Sequence, residues 1–474
     1  MHGSSPRPHA TRFGTALVAT LTTALVVGLA VLSTNQSAAA RMPGGHDSGR
    51  AAVAASAKVR TIAVDRRLFG VHDAFLHSLS RPGTGSIRLW DTGTAWPQMQ
   101  PTNGPIDFTR LDQVVRAAHA HHVEVTLVVA MTPAWAAASS AHTAQTDPPR
   151  LAAFKSYLSA VMTRYKNFFG PGKRGIANYQ VWNEANISTF WTGSQAQMGQ
   201  LVRAAWQVRQ HVDRGARLIG PSMVARLGYQ QKWIHQFYRT RVGGKAVWRY
   251  ADALGFSMYP VDTVPAAHGT RPAMPEDSIA LLRLVKGFLK KDKVPAGMPL
   301  WNNEVNYGLH TAARAGTAAR PIPAARQVAY VMRTYLLNAA AGVKRVYWYA
   351  YDMGTLPGGG TLGNTLLTDP TNRAAGILTP AGRALPRIRS WMTGTLVGTA
   401  TKAPCATDRK GTYTCVIKYK KGVGRIYWNP LRSVKVTLVR SATSKVTELG
   451  ATSKAKGGTR LTVDYRPVLV RSAH

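Results

Sequence analysis

Acidic residues are scarce in this chain. Against 60 Lys and Arg there are 21 Asp and Glu in 474 residues, a formal net charge of +39, and five of the acids are glutamates: Glu124, Glu184, Glu276, Glu304 and Glu448. Any chemistry that needs a glutamate must draw on that short set. Cysteine is scarcer still. Cys405 and Cys415 are too few for a disulfide-built scaffold, and neither has the company of ligands that a zinc site needs. The short segment between them contains Gly411 and fits one disulfide closing a hairpin in an oxidising compartment; the alternative is two unpaired buried thiols. Long apolar runs are limited to one, Ala16 to Leu32, so nothing later in the chain is expected to cross a membrane. No G-x-S-x-G elbow occurs, which argues against serine hydrolase chemistry. The Gly-rich stretch LPGGGTLGN, Leu356 to Asn364, lacks the Lys-Ser/Thr ending of a phosphate cradle and reads as an active-site loop.

The single apolar run has a basic start (Arg7, Arg12) and is followed by NQSAAA before Arg41. Residues 1–40 therefore read as an export signal with Ala40 the last residue removed, or as an uncleaved anchor, since Gly14 to Ser33 could just span a bilayer. An extracytoplasmic location is expected, secreted, wall-associated or tethered through this segment alone. The surplus of positive charge attracts polyanions. An exported protein meets acidic polysaccharide, wall polymer and anionic lipid more often than nucleic acid, and no nucleic-acid partner is expected. A basic lineage or an acidic habitat would account for the charge equally well.

Residues 41–57 are small, polar and Gly/Ala-rich, a linker composition. From residue 58 short apolar runs alternate with longer helical patterns, the signature of parallel β/α units. Eight strands are expected: Leu68 to His72, Ser86 to Trp90, Val123 to Ala130, Asn178 to Asn183, Arg217 to Pro221, Ala253 to Tyr259, Pro299 to Glu304 and Arg345 to Tyr351. Helical periodicity covers Phe108 to His121, Leu151 to Phe169, Gln195 to Val212, Ser278 to Lys290 and Ala324 to Ala341. Together they predict an α/β fold, a (β/α)8 barrel over residues 58–392, although the first crossover, His77 to Gly85, is too short for a full helix. Beyond it, 393–474 switches to short alternating runs with Gly-rich turns, a small all-β sandwich. Residues 58–64 also alternate and are available to pair with it.

A barrel of this kind does its chemistry at the carboxyl ends of its strands. Two of the five glutamates end strands, and each follows an asparagine: Glu184 in YQVWNE and Glu304 in PLWNNE. They close the expected fourth and seventh strands. Glycoside hydrolysis needs such a pair, one carboxyl protonated to assist the leaving oxygen and one ionised to attack or to activate water. A separation of about 5 to 5.5 Å leads to retention and about 6.5 to 9.5 Å to inversion.

On these residues the chain resembles the clan A glycoside hydrolases, and within that clan it is most similar to family 39 and its relatives, over roughly Leu68 to Trp391. The resemblance implies Glu184 as acid/base, Glu304 as nucleophile, and Asn183 as the residue that bonds the sugar 2-hydroxyl. It implies Arg88 (SIRLWD) as the strand-two arginine holding the nucleophile, Tyr259 (SMYP) as the strand-six tyrosine bonding it, and Trp348 as the strand-eight floor of the sugar site. TPAWA, with Trp135, resembles a loop common after strand three. One position departs: many relatives have His two places before the tyrosine, where this chain has Ser257.

The remaining candidates weigh less. Glu124 sits at the far end of its strand, Glu448 lies in the sandwich, and Glu276 in MPEDS suits a helix first turn. HAHH, His119 to His122, reads as a solvated helix end rather than a metal site. His72 ends strand one on the sugar side and either touches substrate or packs. The sequence thus predicts a secreted retaining glycoside hydrolase acting on an acidic or wall-associated glycan, with no metal or organic cofactor. The rival reading is a carbohydrate- or polyanion-binding wall protein on a barrel without catalysis.

Overall fold

The computed structural model describes residues 60–139, 145–261, 263–267, 269–307, 322–353, 365–369, 371–372, 375–398 and 404–473. The expected export segment, the 41–57 linker and the Leu356 to Asn364 loop lie outside the described residues. Eight parallel strands form one sheet: β1 (Phe69–Asp73), β2 (Ser86–Leu89), β3 (Glu124–Val129), β4 (Asn178–Val181), β5 (Arg217–Ile219), β6 (Leu254–Ser257), β7 (Leu300–Val305) and β8 (Arg345–Asp352). Their order is β5-β4-β3-β2-β1-β8-β7-β6. Single parallel bridges, Ile219 to Ala253 and Val224 to Ser257, bring β5 against β6, so the sheet nearly closes on itself. Strands walled by helices outside and by side chains inside are buried on both faces. Hence β1, β2, β7 and β8 are buried at every position.

The outer wall consists of α1 (Thr109–Ala120), α2 (Leu151–Lys166), α3 (Gln195–Val212), α4 (Gly228–Arg239), α5 (Pro275–Lys291), α6 (Ala324–Ala340) and α7 (Pro380–Trp391). α3 starts at a capping box in which Ser194 and Gln197 bond each other's backbone N–H. Between β1 and β2 the described residues form turns instead of a helix.

Behind the barrel lies the β-sandwich. Its larger sheet runs Thr61–Ala63, Thr395–Val397, Tyr413–Lys418, Val423–Trp428, Val468–Ser472, Ala442–Val446 and Thr452–Lys454, and a second sheet pairs Val434–Thr437 with Arg460–Val463. The segment that precedes β1 thus belongs to the sandwich: Thr61 to Ala63 pairs antiparallel with Val397 to Thr395. Cys405 and Cys415 form a disulfide.

Glu276 does more than face a helix end. It sits in the first turn of α5, receives a charge-assisted bond from the fully buried Arg333 of α6, and accepts the indole N–H of Trp428, from the sandwich, at 2.9 Å. That carboxylate joins the two layers. His119 of HAHH stacks on Phe169 at 3.7 Å, and no cluster of metal-ligating side chains occurs among the described residues. Nor is any described helix long and apolar enough to cross a membrane.

Candidate active site

The run YQVWNE enters the barrel wall as β4 and then turns sharply. Trp182 and Glu184 both take positive φ, 69° and 40°, a left-handed conformation that costs of order 1–3 kcal/mol per non-glycine residue. Specific bonds hold the turn. Ser222, after β5, accepts the backbone N–H of Glu184 at 2.8 Å, Trp182 gives its indole N–H to the Phe190 carbonyl at 2.7 Å, and its ring meets Trp191 edge to face at 4.8 Å. The strained turn delivers Asn183 and Glu184 to the carboxyl end of the barrel. Glu304 arrives differently, within β7 and opposite Ser257 of β6, just past a register shift between Asn302 and Glu304.

Arg88 connects them. Fully buried, it donates from Nη1 to Glu304 Oε1 at 2.7 Å, from Nη2 to Asn183 Oδ1 at 2.8 Å and from Nε to Gln180 Oε1 at 2.7 Å. Tyr259 donates its hydroxyl to the other oxygen, Glu304 Oε2, at 2.9 Å. Asn183 Oδ1 also accepts from Ser222 Oγ at 3.2 Å, which leaves the amide NH2 as the end that can meet a ligand.

Burial raises the proton affinity of both glutamates, but their partners differ. For Glu304 the Arg88 guanidinium and the Tyr259 hydroxyl oppose burial and favour the ionised form. Glu184 is pushed up to about 7 by burial and by the charge of Glu304, opposed more weakly by the nearby Ser257 hydroxyl and by Arg226. In this pair the proton resides on Glu184 and the negative charge on Glu304. Ser257, the position that departs from the family pattern, is thus the hydroxyl nearest in effect to Glu184. Arg226, following β5, lies with its guanidinium 6.0 Å from the centre of the Tyr259 ring; no carboxylate lies within ion-pair distance of it among the described residues.

His72 lies in the site. Its Nε2 donates to the Asn303 carbonyl at 2.9 Å, Arg88 Nη1 stands 3.4 Å from it, and burial with that cation keeps the imidazole neutral. Trp348 is corrected by the structure. Strand alternation turns it outward, where it is 2% exposed, packs on Tyr307 at 6.0 Å and gives its N–H to the Thr365 carbonyl. The inward ring is its neighbour Tyr349, against His72 at 4.9 Å and Tyr259 at 6.5 Å. Trp135 packs edge to face on Trp96 and donates to the Gln100 carbonyl; none of its described bonds reaches the two glutamates. Sequence reading passed over Ser222 and Tyr349. A small polar residue just past β5 and an aromatic within β8 were the available signals.

The chain has the fold of family 39 and family 30 glycoside hydrolases. Among solved structures it is similar to a monomeric β-xylosidase from Caulobacter crescentus CB15, 16% identical, with a TM-score of 0.59 over 86% of this chain and 97% of that one. A family 39 glycoside hydrolase from Bacteroides cellulosilyticus WH2 is 15% identical, with a TM-score of 0.62 over 86% of this chain and 82% of that one. A family 30 endoxylanase from Clostridium papyrosolvens C71 is 13% identical, with a TM-score of 0.53 over 87% and 98%. No sequence-family model and no curated protein matches the chain.

Proposed function

We propose that this protein is an exported, retaining O-glycoside hydrolase with Glu304 as nucleophile and Glu184 as acid/base. The observation that carries the reading is the pair itself: two buried carboxyls at the ends of β4 and β7, one bonded by Arg88 and Tyr259, the other raised to about 7. Glu304 attacks the anomeric carbon while Glu184 gives its proton to the departing glycosidic oxygen. The ester so formed carries no charge on Glu304. One of the two largest causes that raised Glu184 is then gone, its proton affinity falls, and it becomes the base that takes a proton from the incoming water. One electrostatic coupling thereby supplies both roles in turn.

For the substrate, the β-xylosidase and xylanase neighbours favour a β-linked glycan. The net charge of +39 and the guanidinium of Arg226, which has no ion-pair partner among the described residues, favour one carrying negative charge, such as an acidic or wall-associated polysaccharide. The test is hydrolysis of a panel of aryl glycosides and neutral and acidic envelope polysaccharides by wild type, Glu184→Gln and Glu304→Gln, with product anomers followed by NMR. Loss in both variants with retained configuration is expected. Inverted products, or activity that survives Glu304→Gln, would remove the assignment; salt-sensitive glycan binding without turnover, unaffected by either change, would favour a binding protein.

A further inference from the structure

The amino end of the barrel, opposite the two glutamates, holds a cleft of about 680 Å³. Its walls come from segments that precede strands. Residues 240–250 lie between α4 and β6, Asp292 and Lys293 follow α5 ahead of β7, and Trp206 stands in the second half of α3. Five of the twelve lining residues are Arg or Lys, against 60 of 474 in the whole chain, so the general surplus of positive charge does not account for the cleft.

A fixed frame places these cations. Arg241 and Val242 pair with Lys245 and Ala246 in a hairpin, and its turn residues Gly243 and Gly244 take φ of 55° and 75°, as a two-residue hairpin turn requires. Val242 is buried, and its carbonyl accepts the hydroxyl of Tyr250 at 2.6 Å. The Tyr250 ring in turn meets Trp206 edge to face at 5.4 Å, while the guanidinium of Arg249 lies 4.7 Å from the centre of the Trp248 ring. Trp206 and Trp248 are each half-buried, so part of each indole is open to the cleft.

The positive charge is not neutralised within the cleft. Its one lining acid, Asp292, has a fully buried side chain that is bonded by His235 at 2.7 Å and by Arg239 at 2.9 Å. Arg241, Lys245, Arg249 and Lys293 are exposed and have no ion-pair partner among the described residues. At the adjoining mouth of the barrel the pattern differs: Arg209, Arg217 and Arg345 pair with Asp252 and Glu124 at 3.4, 3.7 and 2.7 Å.

We infer that this cleft is a second glycan-binding site, separate from the catalytic one, that holds a segment of an acidic polysaccharide: the four unpaired cations meet its anionic groups, and the two indoles meet the C–H faces of its sugar rings. Its volume is that of a small-molecule site, about 300–1,000 Å³. A bilayer is a poor fit, because none of the exposed large hydrophobic side chains lines the cleft. A polymer held here leaves the catalytic end of the barrel open and raises the local concentration of substrate. The binding itself requires neither Glu184 nor Glu304.

The test is binding of the full chain to oligogalacturonate, to neutral xylo-oligosaccharide and to oligothymidylate, measured by isothermal titration calorimetry at low and physiological salt. The variant carrying Lys245→Glu, Arg249→Glu and Lys293→Glu is compared with a control of equal charge change at exposed lysines of the sandwich, Lys420→Glu, Lys421→Glu and Lys454→Glu. Oligogalacturonate binding is expected to fall roughly 10-fold or more in the cleft variant and less than about two-fold in the control, with hydrolysis of small aryl glycosides unchanged in both. Equal losses in the two variants, no binding of oligogalacturonate by wild type, or equal or tighter binding of either other probe would overturn the inference. In wild type labelled with 15N at tryptophan, the indole signals of Trp206 and Trp248, identified by their absence in Trp206→Phe and Trp248→Phe, are expected to shift as oligogalacturonate is added. Perturbation confined to Trp182, at the catalytic end, would overturn the inference whether or not any glycoside is cleaved.

Discussion

Two glutamates of this molecule are held by the same kind of partners in different surroundings. Glu276 is bonded by the buried Arg333 and by the N–H of Trp428; Glu304 is bonded by the buried Arg88 and by the O–H of Tyr259. The difference lies in the neighbouring acids. Beside Glu276, Asp277 has an arginine of its own, Arg271, so charge is matched and the arrangement ties barrel to sandwich. Around Arg88 stand three carboxyl groups, Glu304, Glu184 and Asp91, and only Glu304 is bonded to it. An excess of buried acid over paired base retains protons near neutral pH. A buried Arg–Glu pair with an aromatic donor thus carries no catalytic reading by itself; the proposed one rests on the unmatched second carboxyl.

The comparison breaks most sharply at the paired residues themselves. Glu304→Gln is expected to lower kcat by roughly 10⁴-fold or more. Glu184→Gln is expected to cost roughly 10²- to 10⁴-fold, least with the best leaving groups, because an activated phenol needs little protonation. Leaving-group dependence of kcat checks this; an equal loss with poor and good leaving groups would remove Glu184 as the acid.

At the other glutamate the expectation is reversed. Glu276→Gln leaves Arg333 buried without a counter-charge, which costs about 3 to 5 kcal/mol, and it weakens the tie to Trp428. Thermal unfolding should therefore fall clearly while kcat of the folded fraction stays within a few-fold. A Glu276→Gln variant that unfolds like wild type but is inactive would invalidate the distinction.

How much of this was legible in the sequence follows from what each residue depends on. Eight strands and five helices could be read because their apolar period is local. α4 and α7 were not, since α4 opens with Leu227 and Gly228 without a side-chain cap and α7 carries Pro386 in its interior. Glu184 and Glu304 were legible because each ends a recognisable strand after an asparagine, Arg88 and Tyr259 only through the family resemblance, and the structure brings all four together. Trp348 and Tyr349 were exchanged: which of two adjacent aromatics faces inward is a matter of register, and a shift of one residue reverses it. Ser222 acts through partners on other strands, and no local pattern reports those. Glu276 was read from its helix alone, because its partners Arg333 and Trp428 lie 57 and 152 residues away in the chain.

The smallest expected effect sharpens the comparison further, because it has opposite signs at the two sites. Glu184 in the folded protein is raised to about 7 from an ordinary 4.5, so the native state binds that proton more tightly than the unfolded chain does. Its contribution to stability is complete below about pH 4.5 and is lost as pH rises through about 7; above that, ionised Glu184 costs about 3 kcal/mol relative to a neutral group, at about 1.4 kcal/mol per pH unit. Glu184→Gln removes the cost and should raise the unfolding temperature at pH about 8 but not at pH about 4, whereas Glu276→Gln should lower it at both. In the wild type kcat/KM should decline over the same alkaline window, since the acid that protonates the leaving group is the group being lost. Stability and activity that titrate together, and separate in Glu184→Gln, would trace both to one proton; a stability curve for Glu184→Gln parallel to wild type across this range would show that Glu184 titrates as an ordinary carboxyl and would return the site to the balanced kind found at Glu276.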